Sequence, residues 1–173
     1  MNCIEAFKKN NIQINWATIN LGLRGPGKFD RQLSQIEISE FACSLIESDS
    51  SQPVEVFLLA GIVEEDTEIV YQHVSTLAGK EFYNPQIELR KWQIILLKSI
   101  MSELRQDPLY DLVRLTEFWE KFDYPDYSPH VIQGRKNNIS PQNYYTFETL
   151  IDILNLHKKW IMDSMKIVNH QSD

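Results

Sequence analysis

One run in this chain has residue types and spacing that match a known piece of chemistry. Gly22-Leu-Arg-Gly-Pro-Gly27-Lys28 satisfies the G-x-x-x-x-G-K half of a phosphate-binding loop, in which glycine amides cradle phosphate oxygens and the lysine reaches the outer ones. The next position breaks the match. Phe29 stands where a Ser or Thr hydroxyl would hold magnesium, and the cap at Ser34 starts the following helix too late for its N-terminus to face a phosphate. Nor do strands and helices alternate in a way that would supply the parallel sheet. An enzyme or binder of a phosphorylated small molecule using Gly22, Gly25, Gly27 and Lys28 is therefore the alternative reading, and a tight loop with an exposed cation is the plainer one.

None of the four histidines, His73, His130, His157 and His170, stands in H-E-x-x-H or E-x-x-H spacing, so no helical face presets a pair of metal ligands. His73 falls in an apolar stripe and reads as a core-edge residue. His130, beside Asp126 and Tyr127 in a long loop, is the better acid-base candidate, although no Ser or Cys pairs with it in the sequence. There is no G-x-S-x-G elbow. Cys3 and Cys43 have no zinc-ligand spacing and read as reduced thiols. Cys43, between Phe41 and Leu45 in a capped helix, is expected to be buried and inert. Neighbouring acids such as Glu64 with Glu65 read as solvated faces. No catalytic residue, metal or cofactor is assigned.

A different cluster suits recognition better. Glu117, Glu120, Asp123 and Asp126 run from a helix end into a loop that carries Tyr124 and Tyr127. Carboxylates steer a basic partner, and tyrosines add contact area with little entropy to lose. The competing reading folds both rings back over the bundle.

The elements that must position these residues are helices. At 173 residues the chain fits one domain, with a tail expected to fray from about residue 169. Ile4 to Lys9 and the Asn15-capped turn before Gly22 are short candidates, with a strand near residues 12–16 as the alternative. Gly22 to Asp30 is a loop. A Ser34/Glu37 capping box opens a helix to about Glu47. Val54, Phe57, Leu58 and Gly61 have helical spacing, although VEVFLLAGIV also fits a buried strand. Asp66 and Gly79 bracket the stripe Val70, His73, Val74, Leu77, with Gly79 as a left-handed cap. Asn84-Pro85 starts the most apolar helix, to Leu104, in which Trp92 and Ile95 lie near the polar side with Lys91 and Glu88. Asp107-Pro108 starts a helix with Leu112, Leu115, Trp119 and Phe122 on one face. Residues 123–138 form the longest irregular stretch. Ser140-Pro141 opens a last helix whose expected seam is Tyr144, Phe147, Ile151, Leu154, Ile161 and Met165. The expected fold class is all-α, a single irregular bundle of about six or seven helices.

The formal net charge is -7, with no basic block, which argues against nucleic acid as the ligand and favours a basic protein partner. No apolar run approaches a membrane span and no leader is recognisable, so a cytoplasmic location is expected.

The run W-x-x-I-x-x-G-L-x-G-P-G-K-F, from Trp16 to Phe29 within Ile14 to Ile46, resembles a family of small uncharacterised bacterial proteins classed as a domain of unknown function. That family has no established catalytic residues to carry over. Its character is similar to that of small acidic proteins beside bacterial toxins, which implies an immunity or regulatory type of role by analogy.

Overall fold

The computed structural model describes residues 2–62 and 67–170. Its elements are α1 (Cys3–Lys9), α2 (Trp16–Arg24), α3 (Gln35–Ser48), α4 (Val54–Ala60), α5 (Thr67–Lys80), α6 (Pro85–Ser102), α7 (Pro108–Glu120), α8 (Pro141–Tyr144) and α9 (Phe147–His170). Among the described residues this makes nine helices and no strand. The expectation of six or seven is thus low, because the short segments α1, α2 and α4 all form helices and the last helical segment breaks in two. Tyr145 leaves helical geometry, and the Thr146 hydroxyl then accepts from the Thr149 amide at 3.2 Å to start a new helix. The strand considered near residues 12–16 does not form. Asn15 instead makes a reciprocal capping box with Thr18, which turns the chain into α2.

Several helix starts repeat one device. Asn84, Asp107 and Ser140 each accept from an amide of the first turn, with Pro at the first helical position. The Ser34/Glu37 capping box also forms, and its Glu37 carboxylate additionally receives the Cys3 amide at 2.7 Å, tying α1 to α3.

Helix α6 lies at the centre, packed on α1, α2 and α9. Every residue from Lys91 to Leu97 is buried, and its polar side is partly covered as expected, with Glu88 and Lys91 buried while Lys98 and Ser102 stay exposed. The crossing with α2 is close. A Cβ at Gly22 would lie 2.1 Å from Trp92 Cζ2, and the Trp92 indole donates to the Thr18 carbonyl at 2.9 Å. Gly22 is therefore a mid-helix residue, and the loop expected from position 22 begins only at Gly25. Gly79 likewise lies inside α5 and forms no left-handed cap.

Two apolar stripes differ from expectation. In α4 the buried residues are Val56 and Leu59, while Val54, Phe57 and Leu58 face outward. In α9 the buried stripe is Leu150, Ile153, His157, Trp160, Ser164 and Val168. Phe147 and Ile151, expected in the seam, are exposed. The polar residues His157 and Ser164 occupy seam positions and break the apolar pattern from which the stripe was read. The Asp66 cap and the Glu64/Glu65 pair lie outside the described residues. Helix α9 runs through His170.

Candidate functional site

The glycine run and the acid-tyrosine cluster meet at one place, the C-terminal end of α7. The Lys28 amide donates to the Lys121 carbonyl at 2.7 Å, and the Lys28 ammonium pairs with Asp123. That hydrogen bond raises the Lys28 pKa above its ordinary value. Each glycine has a steric reason for its place. Gly25 has φ +95°, and a Cβ there would lie 2.1 Å from the Phe29 carbonyl oxygen. Gly27 has φ +63°, and a Cβ would lie 2.5 Å from the Lys121 oxygen. The run works as a strap across the end of α7, with its cation committed to Asp123.

Beyond α7 the chain enters an unusual turn. Asp123 and Tyr124 both have positive φ, 57° and 49°, a conformation that costs a non-glycine residue on the order of 1 kcal/mol or more. It is held by amide bonds from Asp123 to the Glu120 carbonyl and from Tyr124 to the Trp119 carbonyl, both 3.0 Å. Neither tyrosine projects as a free anchor. Arg135 sits 4.3 Å over the Tyr124 ring. Arg90 sits 4.2 Å over Tyr127, which also stacks on Trp160 and exchanges hydrogen bonds with the buried Gln93 amide at 3.1 and 3.2 Å. Glu117, Glu120 and Asp126 remain exposed. The rim is less acidic than the sequence suggested, because Lys28 and Arg135 are folded into it.

Residues 125–139 are fastened from beneath. Tyr144, fully buried, donates its hydroxyl to the Val131 carbonyl at 2.5 Å, and burial pushes its phenol up to about 12. Asn137 closes the distal turn by donating to the Ile132 carbonyl at 2.8 Å and accepting from the Gly134 and Ile139 amides. His130 is buried, with its Nε2 2.7 Å from the Thr116 hydroxyl. That hydroxyl donates to the Leu112 carbonyl at 2.8 Å, so the imidazole supplies the Nε2 proton and its Nδ1 is a bare lone pair. Nδ1 is buried with no hydrogen-bond partner among the described residues.

His157 packs edge-on to it, 5.4 Å between ring centroids. Its Nδ1–H donates to the Ile153 carbonyl at 2.7 Å, and its Nε2 accepts from the Trp119 indole at 2.8 Å. These two bonds fix a neutral tautomer. Burial lowers the pKa of His157 to about 4 and that of His130 to about 3, the latter helped by repulsion from His157. The sequence missed this pair because it joins a loop to a helix 27 residues on in the chain, with no motif spacing. Both rings are tied into the bundle by these bonds. His73 is half-buried and His170 exposed. Cys43, expected to be buried, is exposed, since its helix turns that face outward beside the end of α4. Burial instead raises the Cys3 thiol to about 11.

The outer side of the loop carries a cleft of about 350 Å³, to which Tyr124, Asp126, His130, Arg135 and Lys136 contribute. Among the described residues no group of histidine, cysteine and acidic side chains is placed to hold a metal ion, and no helix is long and apolar enough to cross a membrane.

Comparison with known proteins matches residues 4–165 to the family described as "Uncharacterized protein conserved in bacteria (DUF2247)". The search of curated proteins and the search of solved structures return no match.

Proposed function

The chain belongs to this bacterial family of unknown function, and we propose that it is a non-catalytic protein-binding module whose contact surface is the outer side of the 123–138 loop with the adjoining end of α7. The observation that supports this reading is the fastening of that loop. Sixteen irregular residues are held by Tyr127, His130, the Tyr144 hydroxyl and the Lys28 strap, against a backbone entropy of roughly 1–2 kcal/mol per residue. A loop ordered in advance loses little more freedom when a partner docks.

In this reading Glu117, Glu120 and Asp126 steer the basic part of a partner, while Arg135 and Lys136, which line the cleft with Asp126, set its orientation. Asp123, Tyr124 and Tyr127 act from within, holding the strained turn and the loop in position. A regulatory or immunity-type role in the bacterial cytoplasm is the class of function that such a module serves.

The test is capture from the source bacterium with wild-type bait and with a folded Glu117→Ala/Glu120→Ala/Asp126→Ala bait. The proposal expects a protein retained by the first and depleted at least about tenfold on the second, with retention weakening as salt rises. Equal retention of every captured protein on both baits would place the interface elsewhere.

A further inference from the structure

A second cleft, of about 400 Å³, lies far from the loop in the chain, between the segment around Asn15 and the first turns of α6. Lining it is an ion pair whose burial is unusual for its place in the sequence. Glu88 and Lys91, one helical turn apart, bond at 2.9 Å with side chains only 5% and 7% exposed. Pairs at this spacing normally sit on a wet face and contribute a few tenths of a kcal/mol. A buried pair is a different matter, because desolvating two charges often outweighs their attraction and apolar replacements serve stability as well or better.

The two charges are not equally satisfied. Glu88 receives the Thr18 hydroxyl, the Asn15 amide and Lys91. Lys91 donates to Glu88 alone among the described residues, although an ammonium carries three donors. The cleft therefore offers a desolvated cation with spare donors. Its rim supplies apolar surface. Phe82 is fully exposed, at 107%, and Tyr83 is 40% exposed, and both line the opening beside Ile87. An uncovered phenylalanine next to a polar-floored cleft of this size fits a small ligand that is apolar at one end and charged at the other.

We propose that this cleft binds a small organic carboxylate, whose oxygens accept from Lys91 and whose apolar body rests against Phe82 and Tyr83. A single negative charge suits the site. Glu88 already balances Lys91, so every ligand charge also meets the Glu88 carboxylate, and a phosphate dianion would meet twice the repulsion that a carboxylate ligand does, with no apolar body to offset it. A neutral molecule of the same shape would lack the charge-assisted hydrogen bond.

The experiment is an amide ¹H–¹⁵N chemical-shift titration of the full chain with three probes: phenylacetate, 2-phenylethanol and inorganic phosphate. Phenylacetate is expected to give saturable shifts at Asn15, Ile87, Glu88 and Lys91. The alcohol should bind at least about tenfold more weakly, the factor that a hydrogen bond to a charged group typically supplies. Phosphate should leave these amides unmoved. Phe82→Ser, at a side chain exposed enough to leave the fold intact, should weaken phenylacetate about threefold or more. Glu88→Gln/Lys91→Met should abolish its binding while avoiding a lone buried charge. The proposal is overturned if phenylacetate produces no saturable shifts, if the alcohol binds equally well, if phosphate gives the same shifts, or if Phe82→Ser leaves the affinity unchanged.

Discussion

At the start of α6, Glu88 and Lys91 are held out of water as an ion pair, whereas in the seam between α7 and α9 the rings of His130 and His157 are buried to a similar degree as neutral groups. The first region answers the cost of burial with an opposite charge and added hydroxyl and amide donors. The second answers it by losing the proton. Each solution leaves its own weakness. The ion pair fails when one member is removed, and the histidine seam fails when acid restores the charge. The seam also supports the 123–138 loop, because the loop's own His130 is bonded to the Thr116 hydroxyl of α7 and its Val131 carbonyl accepts the Tyr144 hydroxyl.

The sharpest break in the comparison is Lys91→Met, which strands Glu88. Removing one partner of a buried pair is expected to cost about 3–5 kcal/mol. Glu88→Gln/Lys91→Met should recover most of that loss in urea titrations. If the single and double variants are equally destabilised, the pair does not act as a charge couple.

Next in size is the response of the seam to acid. Both histidines have folded-state pKa values lowered from 6.5, to about 3 and about 4, so below pH 6.5 the unfolded chain binds more protons than the folded one. Their stabilisation is complete above that pH and declines as pH falls toward the folded values, by up to about 1.4 kcal/mol per unit for each ring. Between pH 7 and 5 the two together should account for about 3–4 kcal/mol of lost stability. His157→Gln, which cannot gain a proton, should roughly halve the slope over that window. An unchanged slope in the variant would remove His157 from the cause.

The smallest effect expected is that of Tyr127→Phe. Losing the hydroxyl that bonds Gln93 should cost about 1 kcal/mol, with the ring stacking kept. A change within about 0.3 kcal/mol would show that the loop does not depend on that bond.

Local signals made much of the scaffold legible. Asn84-Pro85, Asp107-Pro108 and the Ser34/Glu37 box each open a helix where the sequence places one, because a cap and the residues it serves lie within one turn. Leu112, Leu115, Trp119 and Phe122 are buried together as their spacing implies. What escaped the sequence depends on partners far along the chain. Glu81 caps the first amides of α2 at 3.0 and 2.9 Å from more than sixty residues away. Lys91 reads as solvated until Thr18 and Asn15 are brought to Glu88. The α9 seam was misplaced by its polar members His157 and Ser164, which hydropathy assigns to water. At the candidate site the six acid and tyrosine positions were legible as a cluster. That Lys28 neutralises one of them, and that each ring is covered by an arginine, follows from a strap and a bundle that no local pattern encodes.

The measurement that bears most directly on the neutral seam beneath the loop is a long-range ¹H–¹⁵N spectrum of the imidazole nitrogens, recorded from pH 8 to pH 5. His130 and His157 should stay neutral across the range, His157 protonated at Nδ1 and His130 at Nε2. A titration of His130 or His157 with a midpoint near 6.5 would contradict a desolvated seam and remove the support assigned to the loop.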